Sequence, residues 1–487
     1  LKMAATKERR NFDFVVIGGG IAGVSCTEYL SNLNSDKTIC LISSTDLVKT
    51  VCNFTKITRT VEKFDVKEKP LDSVACECGN VAVVKATVVG FEPAGHRVVT
   101  SDNEEYGYKK LCICTGARPN VIFEENEHVL GLRDLQSVEY FEDRVSTASR
   151  VVIVGNGGIA LELAYELSGC EVVWVIKDDA IGNAYFDKGA AQFFLPSLEH
   201  DEKLQKEATM RKEIGSSQDS SQSSAGKSIY AAALGSGWKD GFSFSQNSAQ
   251  KHKNVVVEYN SEIKSIFTRE GYKTLHGDLP GDWNIHLELT NGKTCTCDFV
   301  VSATGVVPNT EPFLKHAELK VSNDGGFMVD KNMRTNISDV YAAGDVCTAS
   351  WERSKYWMQM RLWTQANQMG VYAAKCMTSD MNNDENFMDF CFEMFAHVTS
   401  FFGYKVILLG KYNGQGLGSD YEVLLRCTKG LEYVKVVIHH GRIHGALLIG
   451  ETDLEETLEN LILNQLDVSS FGEHLLDPNV DIEDYFD

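Results

Sequence analysis

The residues that point most directly to chemistry are three glycines near the N-terminus. Gly18, Gly20 and Gly23 follow the apolar run 14–17, and a helix is predicted after them. Glycine at these positions permits a tight turn, a close approach of the backbone to a pyrophosphate and packing of the helix on the strand. The amide groups at the start of the helix then face the phosphate oxygens. The segment therefore predicts a dinucleotide site.

The same arrangement recurs in the middle of the chain. Gly155 and Gly157 follow the run 151–154, and Ala160 stands at the third position, where the fingerprint tolerates alanine. Two dinucleotide sites imply two dinucleotides that exchange electrons, because a hydride donor and its acceptor need separately held pockets. FAD is the expected cofactor, and NAD(P)H is the expected co-substrate.

The strand after each predicted helix ends in residues that could contact a ribose. The first strand ends at Ser43 and Ser44, where an acidic residue is typical, and a serine can still hydrogen-bond a hydroxyl. The second ends near Lys177 and Asp178, which suit a 2′-phosphate and a 2′-hydroxyl respectively. NADH and NADPH both stay open, with NADH favoured because no arginine is present.

Strands and helices alternate around both glycine segments, which predicts two βαβ units. The runs 38–42 and 171–176 supply their second, parallel strands. The stretch 199–250 is charged and then rich in serine and glutamine, so it predicts an insertion with too little apolar content to pack. Asn291 and Gly292 predict a hairpin that leads into a strand over 294–303. After residue 400 the chain alternates short strands, such as 401–410, before a helix, which predicts an α+β domain.

Composition excludes several classes of protein. A length of 487 residues corresponds to roughly three domains. The net charge of −21 disfavours direct binding of nucleic acid. The longest charge-free stretch, 14–27, is short of the roughly 18 residues that suggest a membrane span. The polar start of the sequence lacks a signal-peptide core, so we expect an intracellular protein without a membrane association.

The cysteines and histidines predict neither a disulfide framework nor a metal site. Fourteen cysteines in a long chain without a signal peptide are expected to be reduced, and those in Cys-x-Cys pairs are expected to be small buried residues in strands. These pairs are Cys76/Cys78, Cys112/Cys114 and Cys295/Cys297. Four histidines of the last domain lack a second ligand set at metal spacing and are expected to be structural or solvated: His397, His439, His440 and His444.

Three further segments carry a resemblance to a known family. The segment 111–119 contains Cys114-Thr115-Gly116, the segment 298–309 contains Ala303-Thr304-Gly305, and the segment 335–345 ends in Gly344-Asp345. With the two glycine motifs and in the same order, they resemble the pyridine nucleotide-disulfide oxidoreductases, a family of flavoproteins with two dinucleotide-binding domains. The resemblance covers nearly the whole chain.

The resemblance implies an α/β fold with two Rossmann-like domains, the first of them discontinuous. The FAD-binding domain is expected over 11–120 and 310–387, the NAD(P)H-binding domain over 121–309 with its serine-rich insertion near 200–250, and a C-terminal α+β domain over 388–487. Asp345 would hydrogen-bond the ribityl chain, and 351–368 would lie along the isoalloxazine.

Cofactor-binding residues are predicted from the motifs and the resemblance together. The full set is Gly18, Gly20, Ile21, Ala22, Gly23, Ser43, Ser44, Cys114, Thr115, Gly116, Arg118, Gly155, Gly157, Gly158, Ile159, Glu162, Gly305, Gly344 and Asp345.

One departure from the family decides the expected chemistry. No Cys-x-x-Cys or Cys-x4-Cys occurs in the loop after the second strand or in the second nucleotide unit, where disulfide reductases of the family carry a dithiol. We therefore expect hydride transfer from NAD(P)H to flavin N5, followed by reoxidation by oxygen, a quinone or a protein acceptor. Cys52 as a catalytic thiol, and Lys56 or Lys49 near flavin N5, stay open beside plainer structural or solvated roles. No catalytic residue is assigned.

Within the family the chain most resembles a eukaryotic branch close to the flavin domains of bacterial nitrite reductases. The segments that carry this likeness are 53–56, the serine-rich insertion and 401–403. The resemblance implies association with the tRNA ligase complex, redox protection of its oxidation-sensitive metal site, and a location in nucleus and cytoplasm. The alternative function is that of a redox-sensing interaction protein, in which the flavin or nicotinamide state controls partner binding with little turnover.

Overall fold

The computed structural model describes residues 10–133, 135–198, 254–277 and 281–479, so the serine-rich insertion predicted near 200–250 lies outside the described residues. The α-helices of this part are α1 (Ile21–Leu33), α2 (Asp72–Glu77), α3 (Leu135–Thr147), α4 (Gly158–Glu166), α5 (Lys188–Leu198), α6 (Arg269–His276), α7 (Glu311–Leu314), α8 (Trp363–Asn382) and α9 (Glu455–Asn464).

The strands up to the middle of the chain are β1 (Arg10–Ile17), β2 (Ile39–Ser43), β3 (Leu47–Lys56), β4 (Glu62–Pro70), β5 (Val81–Lys85), β6 (Val88–Glu92), β7 (Arg97–Thr100), β8 (Glu105–Ile113), β9 (Ala117–Pro119), β10 (Val129–Gly131), β11 (Arg150–Val154), β12 (Glu171–Val175) and β13 (Asn254–Glu258). The later strands are β14 (Ile263–Thr268), β15 (Ile285–Leu289), β16 (Thr294–Cys297), β17 (Phe299–Ser302), β18 (Val306–Pro308), β19 (Phe327–Val329), β20 (Val340–Ala342), β21 (Cys347–Ala349), β22 (Ala396–Phe401), β23 (Tyr404–Gly410), β24 (Glu422–Thr428), β25 (Glu432–His439) and β26 (Arg442–Ile449).

The first of two compact units comprises residues 1–118 and 307–395. Its main sheet has the order β5-β2-β1-β8-β7-β6, with β20 also paired to β8. The central strand β1 is parallel to both neighbours, β2 and β8. Its residues 14–17 are buried without alternation, as expected for a parallel strand that is covered on both faces.

A two-stranded ribbon follows the first βαβ unit. The strands β3 and β4 pair antiparallel from Leu47 opposite Pro70 to Lys56 opposite Glu62. The sequence predicted a loop here, and that prediction is wrong. Val48 and Phe64 anchor the ribbon in the hydrophobic core of the first unit, which gives the charged and polar residues around them a regular structure.

The second compact unit comprises residues 119–306 and 396–487. Its parallel sheet has the order β10-β17-β11-β12-β13, and the antiparallel strands β14, β15 and β16 form a separate small sheet. Each unit therefore contains a sheet whose central strand has parallel neighbours and runs into a glycine segment, and in the first unit β7 and β6 extend the sheet with antiparallel pairing. The predicted α/β fold with Rossmann-like domains is confirmed.

The C-terminal strands form an antiparallel sheet in the order β22-β23-β26-β25-β24. Aromatic rings join this sheet to α5, since the ring centroids of Phe194 and Phe402 lie 5.0 Å apart. The buried Lys435 of β25 also reaches α5, where its ammonium binds the Asp187 carboxylate and donates to Asn413 Oδ1 at 2.6 Å. Contacts thus group the C-terminal segment with the second nucleotide unit, and the division into three domains stays a prediction.

The expectation for one of the Cys-x-Cys pairs is wrong. Cys76 lies in α2 and is exposed, while Cys78 follows α2 and is half-buried, so this pair is not buried in a strand as predicted. The short helix turns Cys76 toward solvent, whereas a strand of the core would have enclosed it.

No helix in the described part of the chain combines the length and apolarity needed to span a bilayer.

A close approach of α1 and α8 in the first unit leads to a prediction. A Cβ at Gly370 of α8 would lie 2.3 Å from the carbonyl oxygen of Ala22 in α1. We expect Gly370→Ala to lower the free energy of unfolding by about 2 kcal/mol, because overpacking outweighs the better helix propensity of alanine. Urea unfolding followed by circular dichroism measures it. Gly79→Ala, at a glycine with open space around its Cβ position, is the control, and equal midpoints for both variants would contradict the prediction.

Candidate functional site

The first glycine segment turns sharply at the end of β1. Gly18 has φ +123°, and its amide donates to the carbonyl of Ile42 at 2.8 Å. A Cβ at Gly18 would lie 2.2 Å from the carbonyl oxygen of Cys114, and one at Gly23 would lie 1.9 Å from the carbonyl oxygen of Gly18. Both positions therefore admit only glycine.

Strand pairing brings the Thr-Gly turn after β8 to this glycine segment. Ile17 of β1 is in register with Ile113 of β8, and the Cys114 amide donates to the Ile17 carbonyl at 2.8 Å. The turn is then fixed by Asn309, whose side-chain amide donates to the Thr115 carbonyl at 2.9 Å. The Thr115 hydroxyl donates in return to the Asn309 carbonyl at 2.8 Å. The sequence analysis did not identify Asn309 as part of this arrangement.

The middle glycine leaves an open space where a diphosphate would lie. Apart from its chain neighbours, no heavy atom of the described residues lies within 4 Å of the Cβ position of Gly20, and its φ of −79° would suit any residue. Neither sterics inside the protein nor backbone strain explains glycine at this position. Ile21 and Ala22 begin α1 directly after it, so the helix amides face that space. These residues fit the diphosphate of a dinucleotide.

The Gly344-Asp345 segment lies beside the same helix end. Ala342 of β20 is in register with Ile113, so the chain leaves the sheet at the edge where the glycine segment lies. Gly344 has φ +78°, and a Cβ there would lie 2.7 Å from Ala22 Cβ. Asp345 follows in a short 3-10 helix and is half-buried. The structure therefore brings Asp345 close to the start of α1.

A run of half-buried residues, 358–363, leads into α8. The Gln365 side chain holds this run, because its Oε1 accepts from the Met360 amide at 2.7 Å and its Nε2 donates to the Met358 carbonyl at 2.8 Å. The indole of Trp363 lies 5.7 Å from Lys49 Nζ, and the Lys49 amide donates to the Gly19 carbonyl at 2.9 Å. This run and Lys49 therefore lie next to the first glycine segment.

Lys56 and Cys52 are placed differently from Lys49. Lys56 is 59% exposed on the β3–β4 ribbon, and its Nζ lies 3.8 Å from a carboxylate oxygen of Glu62. The Cys52 thiol donates to the Asp65 carbonyl at 3.5 Å within the same ribbon. Of the two lysines considered in the sequence, Lys49 is the one held directly against the glycine segment.

The ribose-contacting candidates of the first site differ in exposure. Ser43 is buried at the end of β2, and its hydroxyl accepts from the Thr45 amide at 3.3 Å. The same hydroxyl would lie 2.5 Å from a Cβ at Gly19. Ser44 is exposed. Arg118, another predicted cofactor-binding residue, pairs with the Glu311 carboxylate at 3.0 Å. Ser43 is thus packed against the glycine segment, whereas Ser44 faces solvent.

The second glycine segment repeats the construction of the first. Gly155 has φ +125°, and a Cβ there would lie 2.1 Å from the carbonyl oxygen of Ala303. The Ala303 amide donates to the Val154 carbonyl at 2.8 Å, because β11 and β17 are parallel neighbours. Gly157 again has no protein atom within 4 Å of its Cβ position. A second space of the same kind therefore precedes α4.

The remaining candidates of the second unit lie around that space. Gly158 and Ile159 begin α4, with Gly158 buried and Ile159 half-buried. Glu162 lies one turn further along α4 and is buried. Gly305 is exposed in the turn after β17. The structure brings these residues together locally, and their role in binding a cofactor stays a prediction.

Asp178 lies at the rim of the second space. Its carboxylate accepts from Asn156 Nδ2 at 2.8 Å and from Asn183 Nδ2 at 3.2 Å. Asn156 stands between Gly155 and Gly157, so it links the glycine segment to the loop after β12. Sequence reasoning missed Asn156, although an amide in the middle of a glycine segment was a signal. Lys177 is exposed and lies beside Asp178 in the chain.

The thiols near the first glycine segment are buried and weakly acidic. Cys112 and Cys114 have sulfur atoms 3.5 Å apart. Their shared hydrogen bond and burial raise the pKa of Cys114 well above its ordinary value. Burial likewise raises the pKa of Cys40 to about 12. All fourteen cysteines are free, which agrees with the expectation of reduced thiols.

Comparison with curated proteins gives full-length relatives. The chain is 49% identical over 491 residues to pyridine nucleotide-disulfide oxidoreductase domain-containing protein 1 of Mus musculus, an alignment that covers 97% of this chain and 98% of the mouse protein. The Homo sapiens protein of the same name is 48% identical with the same coverage. An NADH oxidase of Streptococcus pneumoniae is 23% identical over 57% of this chain and 51% of its own length.

Solved structures share the fold at low sequence identity. A ferredoxin reductase from Rhodopseudomonas palustris superposes with a TM-score of 0.66 and 18% identity, covering 97% of this chain and 99% of its own. The water-forming NADH oxidase from Lactobacillus brevis gives a TM-score of 0.64 and 14% identity, covering 94% and 92%.

A family profile matches most of the sequence. The profile of the pyridine nucleotide-disulphide oxidoreductases matches residues 12–234 and 240–370, which include both glycine segments and both Thr-Gly turns. Together with the full-length relatives, this match confirms the resemblance stated from the motifs. The chain belongs to the pyridine nucleotide-disulphide oxidoreductase family.

Proposed function

We propose that this protein is an FAD-dependent NAD(P)H oxidoreductase that works without a dithiol relay. The observation that carries the proposal is the duplicated cradle, in which the first glycine meets the carbonyl of a Thr-Gly turn and the middle glycine borders open space. FAD bound in the first cradle supplies the acceptor for hydride from nicotinamide. Oxygen, a quinone or a protein would then take the electrons.

The chain's own residues would bind and orient the two dinucleotides. The amides at the start of α1 would hold the FAD diphosphate, and Asp345 would accept a hydrogen bond from the ribityl chain. The half-buried run 358–363 offers apolar and polar side chains along the flavin. Lys49, held at the glycine segment and beside Trp363, would place a positive charge near that cofactor.

The cysteines support the proposal that no thiol carries the electrons. A dithiol relay needs a thiolate, and a thiolate forms readily only where its pKa is depressed. Cys112 and Cys114 are buried, and the pKa of Cys114 is raised. The Cys52 thiol is used in a hydrogen bond inside the ribbon.

Asp178 supports NADH as the favoured co-substrate. A carboxylate at the end of the second strand accepts hydrogen bonds from the 2′- and 3′-hydroxyls of a ribose and repels a 2′-phosphate. Asn156 and Asn183 orient that carboxylate at the rim of the second cradle. Lys177 next to it is the residue that would favour NADPH.

A partner and a location belong to the same proposal. The motifs that resemble the eukaryotic branch of the family imply association with the tRNA ligase complex in nucleus and cytoplasm, and the full-length human relative at 48% identity supports membership of that branch. There the chain would provide redox protection of an oxidation-sensitive metal site. The net charge of −21 supports binding to protein and opposes direct binding to RNA.

The two cradles can be tested separately by one substitution in each. Gly20→Val and Gly157→Val both place a side chain where the protein leaves open space, at φ values of −79° and −96° that valine adopts. We expect Gly20→Val to weaken FAD binding by more than about tenfold, or about 1.4 kcal/mol. Gly157→Val should keep its flavin and lose reduction by NADH.

Visible absorbance of the purified variants measures flavin content, and anaerobic titration with NADH measures reduction. Each variant is the control for the other, and unfolding of the flavin-free variants at the same temperature as the flavin-free native chain shows that both fold. A native chain that stays colourless after incubation with FAD would contradict the proposed function. So would flavin loss from Gly157→Val alone.

The choice of co-substrate yields a second prediction. Asp178→Ala should lower kcat/KM for NADH by about tenfold to a hundredfold, since a hydrogen bond to a charged group contributes about 1.5–3 kcal/mol. Use of NADPH should change little or improve. Asp179→Ala is the matched control, because Asp179 is an exposed neighbour that pairs with Lys188. Equal losses with both co-substrates, or an effect of Asp179→Ala as large, would contradict the role of Asp178.

The fate of the reduced protein distinguishes the redox-sensing alternative from the oxidoreductase. The chain is reduced anaerobically with NADH in a stopped-flow instrument and mixed with oxygen or a quinone. Rapid reoxidation over many turnovers is expected for the oxidoreductase. A reduced complex that persists with both acceptors and binds a tRNA ligase subunit more tightly than the oxidised chain would favour the sensor.

A further inference from the structure

The turn between β25 and β26 has a residue that its conformation does not favour. His440 and Gly441 form this turn with φ values of 52° and 70°. Two positive φ angles at the centre of a two-residue hairpin define a type I′ turn, for which Asn-Gly and Asp-Gly are the preferred pairs. Histidine at the first position is a costlier choice than asparagine. The turn therefore suggests a use for the imidazole itself.

The left-handed backbone at His440 brings two consecutive imidazoles together. Successive side chains of a strand point to opposite faces, so His439 and His440 would face apart in an extended chain. Here their ring centroids lie 3.9 Å apart. The turn conformation is thus what makes the two rings neighbours.

The pairing of β24 with β25 brings a carboxylate close to the two imidazoles. Glu422 of β24 pairs with Ile438 of β25 in an antiparallel ladder. Continuing that register by two residues on each strand sets Asp420 across from His440. Asp420 Oδ2 lies 4.0 Å from His439 Nε2, and one donor atom from each of Asp420, His439 and His440 lies within 4.8 Å of the other two.

We propose that Asp420, His439 and His440 form a binding site for a divalent transition metal ion. Two imidazole nitrogens and one carboxylate oxygen are the donors that zinc and nickel prefer, whereas magnesium and calcium prefer a shell of oxygens. Zinc binds nitrogen and oxygen donors at about 2.0–2.2 Å, so the three donors need only a small inward movement.

The three donors differ in how closely the protein packs around them. Asp420 is 86% exposed and ends the segment 411–420, in which Gly414, Gly416 and Gly418 have positive φ. His439 is 21% exposed and is backed by the buried His444, whose ring centroid lies 5.1 Å away, whereas His440 is exposed in the turn. His439 is therefore the packed ligand of the site, and the exposed Asp420 and His440 side chains would turn toward the ion. Three protein ligands leave further coordination positions to water or to a group from another molecule.

The pair of His474 and Asp477 shows how this cluster differs from an ordinary surface pair of a histidine and a carboxylate. His474 Nδ1 also lies 4.0 Å from a carboxylate oxygen, that of Asp477, in the same unit of the protein. No third donor joins that pair among the clusters found in the described residues. A single imidazole with one carboxylate holds such ions weakly, so this pair supplies a matched control.

The test is isothermal titration of the full chain with NiCl2 and ZnCl2 after removal of EDTA. Exposed thiols are first blocked with iodoacetamide, because cysteines bind both ions. We expect one site per chain for the native protein. His439→Ala and Asp420→Ala should each weaken it by at least about tenfold, the loss that even an outer partner of a metal ligand commonly causes. His474→Ala should bind as the native chain does.

His440→Asn distinguishes loss of a ligand from loss of the fold. Asparagine suits the type I′ turn better than histidine, so the metal-free variant should unfold at the same temperature as the native chain or a higher one. Added NiCl2 should raise the unfolding temperature of the native chain and of His474→Ala, but not that of His440→Asn. Equal isotherms for native, His439→Ala and Asp420→Ala would overturn the proposal, as would no measurable binding of either ion.

Discussion

The feature on which both candidate sites depend is the contact between a glycine Cα and a backbone carbonyl. Gly18 lies against the Cys114 carbonyl and Gly155 against the Ala303 carbonyl, at nearly the same distance and the same φ. Each contact requires that the strand before the glycine and the strand before the Thr-Gly turn be parallel neighbours in one register. Two sheets whose central strands, β1 and β11, have parallel neighbours satisfy that requirement. The helix that follows each glycine then begins at the carboxyl edge of its sheet, which is where open α/β sheets bind ligands.

The same sheets explain why thiol chemistry is absent from the proposed function. The first core packs cysteines as small apolar residues, with Cys26, Cys112 and Cys347 among its fully buried members. Burial that stabilises the sheet also raises the pKa of such thiols, as for Cys347. A thiol that must stay protonated is a poor nucleophile. In the proposed function, electron transfer therefore depends on the dinucleotides that the glycine segments would bind.

Local signals in the sequence predicted what is built from consecutive residues. The glycine segments, both Thr-Gly turns and the Asn291-Gly292 hairpin were identified because each is set by backbone preferences within a few residues. Features that depend on pairing between residues far apart in the sequence were not predicted. The predicted strand over 294–303 is divided at Asp298, whose carboxylate accepts from the Ser149 and Arg150 amides, and those partners lie far away in the sequence. The β3–β4 ribbon, and Asp420 beside His439, depend likewise on strand register that no local pattern reveals.

An ion pair between Lys435 and Asp187 joins the C-terminal sheet to the second nucleotide unit. Burial alone would raise the pKa of the Asp187 carboxyl, but hydrogen bonds from Lys435 and the Ala190 amide outweigh it and hold the pKa below its usual range. Asp187 thereby stays ionised, caps α5 and satisfies a lysine that is itself buried. Removing the Asp187 carboxylate would leave the buried Lys435 ammonium without its counter-charge, at a cost of about 3–5 kcal/mol. The contacts of Lys435 and Asp187 thus join the sheet that carries His439 to α5, the first helix after the rim residue Asp178 in the chain.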